Sequence, residues 1–398
     1  MTERRIAVLV ETSHASAREA LRGMLEFIRD SGAKWRLDHE PRRLESGPPE
    51  WLRHWKGDGI IARCHCPKSL ATIRRAGVPA VDLLGVARHP SVAMVLCDER
   101  AISRLAAEHL IACGLQSFAF VGAKSVSWSE NRRVAFQAAI EQAGYTTKVF
   151  NFPRHHRLAV PPEDRVLQLA EWLRSLPRPV GIMGANDQYA AFTATACQVA
   201  GIAVPDEVAI AGVDNDEVFC ELASPPITSV MADHFAIGFE SAKLLAQLMD
   251  GRVAVSRPAE GGRPPAGDWL AVAVPPRGIL ERRSTDFQSA PDTDVAAALR
   301  LIREHFRRPL TVRDVAAKLA VSRATLVRRF AAVLGHGFHE EVIAARLREA
   351  KRLLTSTDTS LEAVARQSGF VHPQQMRRVF RSRLGVTPAA WRAAHRRR

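Results

Sequence analysis

The feature that most constrains this chain is an internal repeat near its C-terminus. The segment TVRDVAAKLAVSRATLVRRF (311–330) is echoed by SLEAVARQSGFVHPQQMRRVF (360–380), and both copies run on to Leu-Gly, at Leu334-Gly335 and Leu384-Gly385. Each copy predicts a short helix holding Val-Ala (Val315-Ala316, Val364-Ala365), a turn at a small residue (Ala320, Gly369) and a second helix. Ser322 is a fitting N-cap for that helix in copy one, and Pro373 stands near its first position in copy two. Leu326/Phe330 and Met376/Phe380 are spaced i,i+4 and form an inward face, so Arg323, Ala324, Val327 and Arg328, then Gln374, Gln375, Arg377 and Arg378, face outward. Arg can grip guanine O6/N7 with two hydrogen bonds and Gln can pair with adenine N6/N7. The eight outward residues are therefore the candidate DNA-reading set, and double-stranded DNA is the expected partner.

The charge distribution supports this. Residues 291–398 hold 22 Lys and Arg against 9 Asp and Glu, an excess of 13 out of the whole chain's +14. A near-neutral body with a basic tail domain is the footprint of a nucleic-acid binder, because each neutralised phosphate releases counterions. Arg348, Arg352, Arg396, Arg397 and Arg398 are expected to contact phosphate or to remain solvated charge rather than to read bases.

The 398 residues exceed what one ordinary core accommodates and suit two or three domains. From about residue 5 to 280 the sequence alternates β-rich runs (6–10, 59–62, 117–121, 180–183, 208–213) with amphipathic helical stretches (17–30, 102–113, 132–143, 166–176, 188–200, 235–250). That alternation predicts parallel sheets covered on both faces. RPAEGGRPPAGD (257–268) reads as a surface loop before a last strand at 270–274. The division expected is an α/β domain over 1–283, a linker at 284–294, and an all-α domain over 295–398, with helix-turn-helix units near 311–332 and 360–382 joined by a helix near 338–355.

Six scattered cysteines without a CxxC pair argue against a disulfide framework. With neither a membrane-spanning apolar run nor a signal-peptide h-region at the start, a cytoplasmic location is expected and no membrane partner. Cys64-His65-Cys66 lacks the spacing of a zinc site, so no metal or other cofactor is expected. No GxGxxG follows the first strand, and P-loop and GxSxG motifs are absent, which disfavours an α/β enzyme with an appended DNA-binding module.

Arg346-Leu347, Ala350, Leu353-Leu354, Ala365, Gly369-Phe370, Phe380-Arg381, Gly385-Val386-Thr387-Pro388 and Trp391-Arg392 together resemble the signature of the AraC/XylS family of transcriptional regulators. The resemblance implies two recognition helices entering successive major grooves, a homodimer, contact with RNA polymerase, and activation, with repression as the alternative. Copy one departs from the family by its small Ala324 and Val327. Farther upstream, Cys97-Asp98-Glu99, Glu108-His109-Leu110, Phe118-Ala119-Phe120-Val121-Gly122, Asn186-Asp187-Gln188-Tyr189-Ala190 and Val208–Asn215 resemble the sugar-binding cores of LacI/GalR-type repressors and type I periplasmic binding proteins, which implies that the α/β domain is two-lobed. By that resemblance a small sugar is held by Asp98, Arg132, Asn186, Asp214 and His234, with Ser13, His14 and Arg18 completing one wall. Carboxylates accept from hydroxyls, Arg donates several bonds and Asn does both, so the set makes chemical sense for a polyol. The order of the parts, with the reader at the C-terminus, and the junction Val274-Pro275-Pro276 to Glu281–Asp286 resemble regulators of pentose use, which implies xylose or another pentose as effector.

Overall fold

Two six-stranded sheets organise the first 286 residues of the computed structural model, which describes residues 3–40, 47–83, 85, 89–124, 126–152, 162–255, 270–286 and 292–395. The first sheet has the order β11-β5-β4-β3-β1-β2 and is parallel throughout: β1 is Arg4–Leu9, β2 Trp35–His39, β3 Gly59–Ala62, β4 Ala80–Asp82, β5 Ala93–Cys97 and β11 Ala271–Val274. The second has the order β12-β10-β9-β8-β6-β7, with β6 at Phe118–Ala123, β7 at Thr147–Phe152, β8 at Val180–Gly184, β9 at Val208–Val213, β10 at Thr228–Val230 and β12 at Ile279–Leu280. Only β12 in this sheet pairs antiparallel. Central strands such as GIIA and VAIAGV are buried at every position, which is why they read as continuous apolar runs rather than as alternations.

Helices cover both sheets: α1 (Ala15–Ser31), α2 (Pro67–Arg75), α3 (Glu99–Ala112), α4 (Ser127–Gln142), α5 (Pro162–Arg174), α6 (Asp187–Ala200), α7 (Glu217–Leu222) and α8 (His234–Met249). The chain crosses between lobes after β5, after β10 and after β11, so α8 returns to pack on α1 of the first lobe. That crossing is close. A Cβ at Gly23 would lie 1.9 Å from the Phe235 carbonyl oxygen, and one at Gly238 would lie 1.7 Å from that of Ala20. Glycine on each helix admits the other's backbone.

The junction corrects one expectation. Ser284 and Thr285, assigned to the linker, are buried in the second lobe. Ser284 Oγ donates to Ile210 O at 2.5 Å and accepts from Thr228 N at 2.8 Å, and Thr285 Oγ1 lies 2.7 Å from His109 Nε2. Thr228, Ile210 and His109 are far off in sequence, so the anchoring has no local signature. The loop expected at 257–268 and the linker residues 287–291 lie outside the described residues.

The last domain is helical. α9 (Thr293–His305), capped by the Asp292 carboxylate, is followed by α10 (Val312–Lys318), α11 (Arg323–Leu334), α12 (Phe338–Ser356), α13 (Leu361–Gln367), α14 (Pro373–Leu384) and α15 (Pro388–His395). It has two cores: Val315, Leu326, Phe330 and the start of α12 form one, and Val364, Met376, Phe380 and the end of α12 the other. Phe330 and Phe380 are fully buried, and truncating either to Ala costs about 3–5 kcal/mol by the usual scale. The long helix α12 is thus the shared wall that fixes one helix-turn-helix unit against the other.

Candidate effector cleft and nucleic-acid interface

A cleft of about 960 Å³ opens between the lobes at the carboxyl ends of their strands. At its centre stands Arg132, brought there by α4, whose inward face repeats as Ser129, Arg132, Phe136 and Ile140. Its guanidinium is 4% exposed and fully engaged: Nε donates to Glu99 Oε2 at 2.6 Å, and one terminal nitrogen to Ala185 O at 2.7 Å. The other donates to Asp214 Oδ1 at 3.2 Å. His234 Nε2 lies 3.2 Å from the same Asp214 oxygen.

The electrostatics follow from this packing. Burial opposes ionisation of Asp214, yet Arg132 and His234 overcome it and hold its carboxyl well below the usual carboxylate range. Burial raises the Glu99 carboxyl despite Arg132. Asp187, buried and close to Asp214, is pushed up to about 7 although Ser229 Oγ (2.6 Å) and Asp216 N (2.6 Å) both donate to it. Arg132 is raised in the opposite sense to its burial by the two carboxylates. A cation clamped between two carboxylates is costly unless each lone pair is used.

The residues expected to hold a ligand divide as follows. His14, Asp98, Arg132, Asn186, Asp214 and His234 all line the cleft. Asp98 and Asn186 also cap helices, accepting from Ala101 N at 2.9 Å and Tyr189 N at 3.1 Å, so the cap and cleft-lining roles coexist. Ser13 and Arg18 do not reach the cleft. Both are exposed, and Arg18 is turned back onto Thr12 O at 2.7 Å; the first turn of α1 offers Ala15 and Ser16 instead, with Arg18 on the other side of the helix. Cys64 is buried in the core with its N–H on Asp82, and it is Arg63 that lines the cleft.

Sequence reasoning missed Arg63, Glu99, Trp128, Asn131 and Asp187, which also line the cleft. The i,i+4 spacing of Trp128 and Arg132 was the available signal, and the Arg132 guanidinium sits 5.3 Å from the Trp128 ring centre. An aromatic face beside carboxylates and an amide suits a polyol ring, whose C–H face stacks while its hydroxyls bond in the plane.

The reader face is built differently. Arg323, Ala324, Val327 and Arg328 are exposed on α11, and Gln374, Arg377 and Arg378 on α14. Gln375 is half-buried, with its Oε1 accepting from Val371 N at 3.2 Å, so it supports the start of its helix. Arg348 and Arg352, expected at phosphate or in solvent, are instead bound to acids. Arg348 pairs with Asp286 (2.8 Å) and Glu341 (3.4 Å), and Arg352 with Glu349 (2.9 Å) and Glu221 (3.1 Å). They tie the reader to the second lobe. Arg396, Arg397 and Arg398 lie outside the described residues.

Residues 107–264 match the periplasmic binding protein-like domain, and residues 315–394 a helix-turn-helix domain. The xylose operon regulatory protein of Escherichia coli K12 is 28% identical over 98% of this chain and 96% of its own length. Its counterpart in Haemophilus influenzae is also 28% identical, over 98% and 99%. The solved structure of a xylose-binding transcription activator superposes with a TM-score of 0.71 at 27% identity, covering all of both chains.

Proposed function

We propose that this chain, an AraC-type regulator carrying a periplasmic-binding-protein-like sensor in place of other input domains, activates genes of pentose use in response to a sugar, xylose foremost. The observation that carries the reading is the cleft: Arg132, Asp214, His234, Asn186 and the Trp128 ring converge between two lobes whose chain continues into a tandem helix-turn-helix reader. Relatives that share both parts along their whole length are named for xylose. Sugar closes the lobes, the closed form favours one arrangement of a homodimer, and the readers then engage two sites near a promoter within reach of RNA polymerase. A ligand drives such a change only by binding one state more tightly than the other. The seven exposed residues of the set on α11 and α14 supply base and groove contacts, and Gln375 holds the start of its helix. The protein works in the cytoplasm, where the DNA is; no described helix is long and apolar enough to cross a membrane.

Calorimetry of the full chain against D-xylose, D-ribose, L-arabinose and D-glucose tests this. Binding of a pentose without its consumption is the expected result. Turnover of the sugar, or heat only from hexoses, overturns the pentose assignment. Arg132→Ala is expected to abolish the heat, since it strands Glu99 and Asp214.

A further inference from the structure

Asp214 and Asn215 are consecutive non-glycine residues with positive φ, 96° and 50°. Such a pair persists only where its surroundings hold it, and here it is held from two sides. On the cleft side, Arg132 and His234 both reach Asp214 Oδ1. Behind it, the Asn215 N–H donates to Ser229 Oγ at 3.0 Å, and toward the reader Asn215 Oδ1 accepts from a terminal nitrogen of Arg282 at 2.8 Å.

Arg282 leads onward. Its side chain is 1% exposed; its other terminal nitrogen donates to Ile227 O at 2.9 Å, and its Nε to Glu221 Oε1 at 3.2 Å. That same Glu221 oxygen accepts from Arg352 of α12 at 3.1 Å. Arg352 in turn grips Glu349, which also receives Arg307 from the segment between α9 and α10. A path of hydrogen bonds, bridged at one point by the Asp214-Asn215 backbone, thus runs from an oxygen in the cleft to the helix that both helix-turn-helix units share.

Resting on the sugar-sensing reading, we infer that Arg282 is a positioning residue that couples the cleft to the reader: it joins the strained turn at Asp214-Asn215 to Glu221 and through it to Arg352. A ligand hydroxyl competing for Asp214 Oδ1 loosens the cleft-side grip on the turn, and the change passes along the path to α12. Because coupling of this kind is reciprocal, disturbing the reader end alters the turn even without ligand.

The test uses hydrogen exchange on the full chain and enters from the less buried end at Arg352, since removing the buried Arg282 risks unfolding. Without sugar, Arg352→Gln is expected to change exchange in 211–222 about five-fold or more, the lower range of measured couplings. Asn215→Ala is expected to do the same in 346–356. Arg303→Gln is the control. It breaks another bridge between reader and second lobe, that of Arg303 with Asp206, off this path, and should leave 211–222 unchanged. An unaltered 211–222 in Arg352→Gln, or an equal effect from Arg303→Gln, overturns the relay. When D-xylose is added, the wild type should carry its exchange change into 346–356, whereas Arg352→Gln should confine it to 211–222. Spread of the change into 346–356 in Arg352→Gln overturns the relay as well. Absence of heat on adding D-xylose to the wild type sinks the xylose assignment alone, because the sugar-free arm still decides the relay.

Discussion

Both helix-turn-helix units bend at a residue with positive φ, but the first uses Ala320 at 55° and the second Gly369 at 82°. The first turn, between α10 and α11, spans 319–322, while the second, between α13 and α14, spans 368–372 and is one residue longer. Ser322 caps α11 through Thr325 N at 3.0 Å; α14 has no side-chain cap at His372 and begins instead on Pro373. Outward, the first recognition helix offers Ala324 and Val327 where the second offers Gln374 and Arg377. The first unit is thus better fastened at its helix start and poorer in base-reading groups, and the second is the reverse. Duplicated folds can divide labour in this way, one copy placing the domain on the duplex and the other reading it.

That contrast can be broken at several points. The largest effect is expected from Gly369→Ala. The new Cβ would lie 2.8 Å from both Arg307 Cα and Phe306 O, in a backbone conformation that alanine dislikes, and a loss of roughly 2–4 kcal/mol should follow, read as faster exchange across 361–384. Next, Arg378→Ala should weaken specific DNA binding by about 1–3 kcal/mol, with a smaller loss for Arg328→Ala. Equal losses on specific and random duplexes would make Arg378 a phosphate contact. Ser322→Ala should cost about 1 kcal/mol of unfolding free energy in denaturant, whereas His372→Ala should cost much less, having no cap bond to lose. The smallest effect is expected from Ala320→Gly, a gain of about 0.5–1 kcal/mol as the strained turn relaxes; a loss there would show that the turn is not strained.

The fold was legible where it rests on local periodicity. Continuous apolar runs marked β3 and β9, and the repeated Val-Ala and Phe positions exposed the reader. The cleft was legible through the resemblance to sugar-binding cores, which pointed to Asp98, Asn186 and Asp214 at caps and strand ends and to Arg132 within a helix. Glu99, Arg63 and Asp187 were not, because each is set by a partner far off in sequence, Glu99 by Arg132, Arg63 by Glu11 and Asp187 by Ser229. Arg352 looked like one more basic residue of a basic domain. Its partner Glu221 is 131 residues away, and no local pattern announces a pairing over that distance.

The acids that hold the reader, Asp206, Glu221, Glu281 and Asp286, all belong to the second lobe, into which Ser284 and Thr285 are also sunk. With those bonds in place, the proposed closure moves the first lobe against a second lobe and reader that stay joined. A swing of that kind leaves the reader's own footing untouched. Within one subunit the message therefore has to pass through the interior of the second lobe rather than by displacement of the reader as a whole.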